Sequence, residues 1–322
     1  MEMFKTLLRA TCALGLLIGT AEARITRLEL SVPEPAFDGK VFAGAGKFER
    51  VRGKAYGEVD PKAPGNAIIQ DIGLAPKNAR GMVEYVTDID IIRPADPARS
   101  NNVLLFNVVN RGNKGAIGLF NADVKANVAD QNTASDPGDG WLQQRGYTVV
   151  WFGWQGDVMA GNNRQLFAAP VARNKDGSAI TGIVRSEIVV QAPTRTSAVG
   201  GGWFTEGGHD SYPTASTDNG TKFADGFLPT LTVRVRESAP GVVIPNSDWS
   251  FGDCDKPDAK KVCLPAGFKP GHLYELIYRA TDPKVMGLGF AAGRDLGTFL
   301  KTRDKDDAGT ANPVVHGPGV KA

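Results

Sequence analysis

The segment "VLLFNVVNRGNKGAIGLFN" (Val103–Asn121) changes character halfway along. Its first part is an apolar run, which is typical of a strand covered on both faces of a sheet. Its second part is a glycine-rich loop that carries two cations, Arg111 and Lys114. Another apolar run, "YTVVWFGW" (Tyr147–Trp154), follows after a segment long enough for a crossover helix and a loop. The two runs therefore predict parallel strands and an α/β unit.

The glycine-rich loop permits two interpretations. A loop between a strand and a helix clusters backbone N–H groups that can bind an oxyanion or a phosphate. Arg111 and Lys114 would add positive potential there. Alternatively, the loop is an ordinary turn whose cations face solvent. The residues alone leave both interpretations open.

The flanking sequence is typical of β structure. Residues 24–100 combine apolar–polar alternation, as in "RLELSV", with turn clusters such as "DPKAPGN", which predicts an N-terminal β-rich region. Residues 101–322 would form the second unit. Within it, residues from about 155 to 270 contain alternating stretches such as "GIVRSEIVV" and "TLTVRVRE", which we interpret as a β-rich insertion.

The last predicted element is a helix that ends at Thr302. Asp282 suits an N-cap and Pro283 suits the first helical position. Apolar residues then recur on one face of the predicted helix. Four internal glycines weaken its intrinsic propensity, so packing against a sheet must hold it.

Residues 1–23 have the pattern of a secretory signal peptide. Two cations precede a short apolar stretch, and "AEA" supplies a small-x-small cleavage site; a first core helix is the alternative. In the oxidising compartment that export implies, Cys254 and Cys263 of "CDKPDAKKVC" could pair, although two free thiols remain possible. We therefore predict a periplasmic or secreted protein.

The composition is that of a packed globular protein. Apolar residues make up 42% and charged residues 22% of the chain, which argues against disorder. A formal net charge of +2 gives no reason to expect nucleic acid or a membrane as a partner. The stretches "AGAGKF", "GLGFAAG" and "DKDDAG" each depart from the phosphate-loop, dinucleotide or calcium pattern they approach. The three histidines are not at metal-ligand spacing, so we expect neither metal nor cofactor.

Five stretches of this sequence resemble one protein family, the large secreted bacterial alpha/beta hydrolase domain-containing proteins. The resemblance covers nearly the whole chain after the predicted signal peptide. The stretches are "GEVDP" (57–61), "NVVNRGNKGAIGLFN" (107–121), "DPGDGWLQQRGYTVVWFGWQGD" (136–157), "APVARNKDGSAITG" (169–182) and "GFKPGHLYELIYRATDPKVMGLGFAAGRDLGTFL" (267–300).

The resemblance implies an α/β fold with a partial alpha/beta-hydrolase sheet. Val103–Val109 would be the strand that precedes the oxyanion loop. Asn110, Arg111 and Gly112 would then offer backbone N–H groups to a tetrahedral intermediate. Tyr147–Trp154 would be the next core strand.

The resemblance also implies that the catalytic residues are missing. In that family the C-terminal helix leads into the strand that carries the catalytic serine, and the acid and histidine follow. This sequence ends at Ala322, before any G-x-S-x-G elbow. We therefore expect a truncated N-terminal part of a secreted serine hydrolase that acts on ester or acyl bonds. It would be inactive alone and would need a C-terminal half on another chain to act on a small ester-like substrate.

The alternative function is that of a non-catalytic, exported ligand-binding module. The long loop at 198–220 is rich in glycine and serine, and such loops are usually functional or disordered. It carries Trp203, Phe204, His209 and Tyr212, which could form an aromatic surface for a ligand.

Overall fold

The computed structural model describes residues 24–124, 132–200 and 209–314. The predicted signal peptide, residues 201–208 and His316 lie outside the described residues. Of the described residues, 36% are in strands and 14% are in helices. The strands form three sheets.

The first sheet has eight strands and is built mainly from the N-terminal half of the chain. Its path runs β1-β4-β5-β7-β6, with β2 and β3 paired to β4 and β8 paired to β5. Within this sheet β6 and β7 pair in parallel, whereas the neighbouring pairs β1–β4, β4–β5 and β5–β7 are antiparallel. The strands are β1 (Arg24–Leu30), β2 (Glu34–Pro35), β3 (Val41–Phe42), β4 (Gly46–Val59), β5 (Val83–Pro94), β6 (Leu104–Val108), β7 (Thr148–Phe152) and β8 (Phe167–Ala168).

Both faces of the first sheet are covered around β7, all five residues of which are buried. Val150 and Phe152 join the core cluster that contains the apolar side of α4, whereas Val149 and Trp151 join the cluster that contains residues of α2 and α3. This alternation follows from the two-residue period of a strand. The helices are α1 (Pro64–Ala67), α2 (Ala116–Phe120), α3 (Trp141–Gln144) and α4 (Leu288–Thr302).

Seven further strands form a β-sandwich between β8 and α4. Its four-stranded sheet has the order β12-β11-β15-β9, and its three-stranded sheet has the order β10-β14-β13. Leu231 and Leu276 of the larger sheet share a buried core with Phe251 and Val262 of the smaller one. The strands are β9 (Thr181–Ile188), β10 (Thr194–Ala198), β11 (Thr230–Arg234), β12 (Val242–Ile244), β13 (Ser250–Phe251), β14 (Lys261–Phe268) and β15 (Leu273–Thr281).

The structure corrects the expected fold class. An α/β fold with a partial alpha/beta-hydrolase sheet is wrong, because the chain is mostly antiparallel β-sheet and its helices do not alternate with its strands. The predicted parallel pairing is limited to β6 and β7. The two-residue alternation and frequent turns on either side of that pair favour antiparallel connections instead.

Two smaller expectations are also corrected. The run at Val103–Val109 is not covered throughout, because β6 is the last strand on the sheet path and Val108 is 58% exposed. The C-terminal helix begins at Leu288 rather than at Pro283. Asp282 has a left-handed φ of 57°, and Lys284 forms a β-bridge with Val171. The backbone at 282–284 is therefore not helical, and α4 starts after it.

Candidate functional site

The loop after β6 is a tight turn that only glycine fits at one position. Arg111 and Gly112 have φ values of 51° and 76°, and the Asn113 N–H donates to the Asn110 carbonyl at 3.0 Å. A Cβ atom on Gly112 would lie 2.7 Å from Cβ of Arg164. Glycine is therefore required by both the backbone conformation and the close approach of the 164–165 segment.

Lys114 of this loop points into the protein and not toward solvent. Its Nζ lies 2.7 Å from Oδ2 of Asp90, and both side chains are 1% exposed. Arg50 binds the same carboxylate through two hydrogen bonds of 2.9 and 2.6 Å. Burial alone would raise the pKa of Asp90, but the hydrogen bond from Arg50 and the charge of Lys114 outweigh it and lower that pKa. Lys114 is thus part of a buried cluster of charged side chains with Asp90 and Arg50.

Arg111, the other cation, ties the β6 loop to the segment after β7. Its backbone N–H donates to Oε1 of Gln155 at 2.6 Å, and its guanidinium pairs with Asp157. The Arg111 N–H therefore has a protein acceptor in this structure. An oxyanion-binding role for Asn110, Arg111 and Gly112 stays a prediction.

Next to Asp157 is a cleft of about 270 Å³, open to solvent. One of its lining residues, Asp157, follows β7 in the chain and pairs with Arg111, which follows β6. Five of its ten lining residues are charged, whereas Val171, Pro213 and Met286 supply apolar surface. The lining residues that matter below are Asp157, Asp210, Tyr212, Lys260, Asp282 and Lys284.

Two ammonium groups converge on the cleft at Asp210. Nζ of Lys260 lies 2.8 Å from both carboxylate oxygens of Asp210, and Nζ of Lys284 lies 3.4 Å from Oδ2. Lys284 also donates to the Gly156 carbonyl at 2.7 Å. Burial tends to raise the pKa of Asp210, but the hydrogen bond and charge of Lys260, with the charge of Lys284, lower it. These three side chains together carry one net positive charge.

His209 and Tyr212 lie beside the same cleft. Nδ1 of His209 is 3.7 Å from Oδ2 of Asp157; burial and the nearby charge of Arg111 lower the histidine pKa, and Asp157 opposes them. The pKa of Tyr212 is raised by burial and then by the charge of Asp157. Between them, the Ser211 hydroxyl accepts a hydrogen bond from the Gly200 N–H at 3.0 Å.

The other sequence-based candidates lie elsewhere. His272 is partly exposed in the turn before β15, where Nδ1 is 3.2 Å from the Pro270 carbonyl. Trp203 and Phe204 lie outside the described residues. Cys254 and Cys263 form a disulfide, so the predicted pairing is confirmed. That bond closes the loop that carries Lys260.

Sequence reasoning did not identify the charged groups of the cleft. Asp157 ends the stretch "WFGWQGD", and its position shortly after a buried strand could have identified it as a candidate site residue. Asp210, Lys260 and Lys284 stand in polar surroundings that resemble any solvated surface. Their convergence depends on the fold.

No protein-family model, curated protein or solved structure matches the chain. Among the described residues, no helix combines the length and apolar character needed to cross a bilayer. Within the same residues, His, Cys, Asp and Glu side chains do not gather in groups of three or more suited to a metal ion. The functional argument therefore rests on the cleft itself.

Proposed function

We propose that this chain is a non-catalytic binding protein whose cleft takes a small organic anion. The observation that carries the proposal is the convergence of the Lys260 and Lys284 ammonium groups on a cleft that also has apolar surface. An ammonium group has three donors. Asp210 and the Gly156 carbonyl occupy only part of that capacity, so the two lysines can also donate to an acidic group of a ligand.

The carboxylates of the cleft do not oppose an anion, because each has a cationic partner. Asp157 pairs with Arg111, and Asp282 lies 2.7 Å from Arg173. Asp210 is held by the two lysines. The volume of about 270 Å³ is near the lower end for small-molecule sites, which favours a ligand about the size of a monocyclic carboxylate.

A titration with benzoate and its neutral analogue benzamide tests this proposal. We expect saturable binding of benzoate by isothermal calorimetry and at least about tenfold weaker binding of benzamide, because a charge-assisted hydrogen bond is lost. Lys260→Gln should weaken benzoate binding, whereas Lys175→Gln, in an exposed turn, should not. Equal affinity for benzoate and benzamide, or no effect of Lys260→Gln, would contradict the proposal.

A part in acyl hydrolysis is the second candidate, and the family resemblance supports it together with the loop at Asn110–Gly112 beyond the parallel strands. We expect no turnover of p-nitrophenyl acetate and no labelling by a fluorophosphonate probe, because no serine of the printed sequence stands in a G-x-S-x-G elbow. Stoichiometric labelling of a serine in the purified chain would contradict that expectation.

We also infer that the protein is exported to the periplasm or secreted. The signal-peptide pattern of residues 1–23 supports this. The Cys254–Cys263 disulfide supports an oxidising compartment, because such bonds are rare where cellular thiols stay reduced. Expression of the full chain with a tag at its C-terminus, followed by cell fractionation, tests the inference.

A further inference from the structure

A second recess, of about 170 Å³, lies on the first sheet and shares no lining residue with the cleft. Its floor is formed by side chains of β4 and β5, and the segment after Gly161 forms its rim. Lys114 closes one side. The lining comprises Arg50, Arg52, Gly53, Asp88, Ile89, Asp90, Lys114, Asn163, Arg164 and Gln165.

Both carboxylates of the recess already have partners. Asp88 accepts from Nζ of Lys54 at 2.6 Å and from the Leu166 N–H at 3.0 Å. Asp90 is held by the buried cations described above. The remaining cation at the floor, Arg52, pairs with Glu34 at 2.8 Å near the surface, where both side chains are more than 40% exposed. An anion that entered would therefore meet acidic groups whose charge is already compensated.

Arg164, at the rim, differs from these cations. In the described part of the chain its guanidinium has neither a hydrogen bond nor an ion pair with a carboxylate, and its Nε is buried without a partner. The adjacent Gln165 is 7% exposed, lines the recess and also has a buried amide oxygen without a partner. Buried polar groups are normally satisfied, so the unpartnered Arg164 donor calls for an acceptor in the recess. The Gln165 oxygen is itself an acceptor and does not contribute to the binding of an anion.

We propose that this recess binds a small tetrahedral oxyanion, either phosphate or sulfate, free or as the end of an ester. The planar fork of a guanidinium matches two oxygens of such an anion. Arg164 would supply that fork, and Arg52 would add a second charge. The recess accommodates one such group but is too small for a nucleotide.

Calorimetric titration of the intact chain with inorganic phosphate, at constant ionic strength maintained with chloride, tests the proposal. We expect one saturable site. Arg164→Gln should weaken binding at least about tenfold, as expected for the loss of a charge-assisted bidentate contact. Arg236→Gln, in an exposed turn after β11, is the matched control and should bind phosphate like the unmodified protein.

Two further comparisons distinguish a phosphate ester from free phosphate as the ligand, and the recess from the cleft as the binding site. Tighter binding of phenyl phosphate than of inorganic phosphate would identify an ester as the ligand, and the reverse order would identify the free ion. Lys260→Gln, which alters the cleft, should leave phosphate binding unchanged. Arg52→Gln gives a second test at the recess if Arg164→Gln proves unstable by circular dichroism. The proposal would be overturned if the heat of phosphate addition did not saturate. It would also be overturned if Arg164→Gln and Arg52→Gln bound phosphate as tightly as the Arg236→Gln control.

Discussion

At the scale of single residues, the two cations of the β6 loop have different environments. Arg111 remains partly exposed and pairs with Asp157 beside the cleft. Lys114 is buried with Asp90 and Arg50. A buried charge is tolerated only when it is paired and hydrogen-bonded. The carboxylate of Asp90 therefore holds together three segments that are distant in sequence.

Asp90→Asn should lower the free energy of unfolding by about 3–5 kcal/mol, because it leaves buried cations without their carboxylate. Lys114→Met should cost less, since Asp90 keeps its two hydrogen bonds to Arg50. Urea unfolding monitored by tryptophan fluorescence measures both. Asp255→Asn, an exposed position, is the control and should stay within about 0.5 kcal/mol. Equal losses for Asp90→Asn and Asp255→Asn would refute this account.

The pH dependence of stability should also depend on Asp90. Its folded pKa is lowered from an ordinary value of 3.8, so its contribution is present above that value and is lost as pH falls through the folded pKa. The difference in unfolding free energy between the unmodified protein and Asp90→Asn should therefore be constant near neutral pH and shrink below about pH 4. Urea titrations at pH 7, 5, 4 and 3 test this, and a difference that stays constant down to pH 3 would exclude it.

At the scale of elements, α4 is held by close packing more than by helix propensity. Gly289 and Gly293 let the helix approach the segment at the end of β7, where added Cβ atoms would lie 1.7 Å from the Trp154 carbonyl oxygen and 2.9 Å from Phe152. Gly297 is different, because its nearest neighbour would be Phe106 at 3.9 Å. The three glycines should therefore respond differently to substitution.

Gly289→Ala should destabilise the protein by at least about 1–3 kcal/mol, since the backbone carbonyl of Trp154 cannot move aside cheaply. Gly297→Ala should instead stabilise it by up to about 1 kcal/mol, because alanine has the higher helix propensity and the site has space. Thermal and urea unfolding of the two variants provide the measurement. If both substitutions changed the free energy of unfolding in the same direction, the close approach to Trp154 would not be the reason that glycine is required at position 289.

At the scale of the whole molecule, β6 leaves an edge of the first sheet unpaired by any described strand. Val103, just before β6, and Val108, its last residue, are 42% and 58% exposed. Natural sheets commonly protect such edges with charges, prolines or bulges. An apolar edge of this kind favours association with another strand.

Val108→Lys should therefore reduce concentration-dependent self-association, because a charge on an edge strand disfavours strand addition. Sedimentation velocity over a range of protein concentrations measures the effect. Ile68→Lys is the matched control, since Ile68 is 87% exposed but does not lie on β6. A decrease caused equally by both substitutions would point to general surface apolarity and not to the strand edge.

Several features could be predicted from local sequence patterns. The continuous apolar run at Thr148–Phe152 correctly indicated a strand buried on both faces. The spacing of Cys254 and Cys263 indicated a possible disulfide, and the glycines of α4 indicated close packing against a sheet. Each of these depends on a periodicity or spacing within a short window, which the backbone geometry of a strand, loop or helix imposes directly.

The sheet order and both candidate sites were decided by tertiary structure. Nothing near Lys114 indicates that it pairs with Asp90, 24 positions away. Likewise, Lys260 and Lys284 meet Asp210 across 50 and 74 positions. By itself the amino-acid sequence indicated the buried strand at Thr148–Phe152, the turn-rich β segments and a possible disulfide, because those depend on neighbours along the chain. Burial of a charge depends on which distant segment arrives beside it, and only the folded arrangement of the sheets decided that.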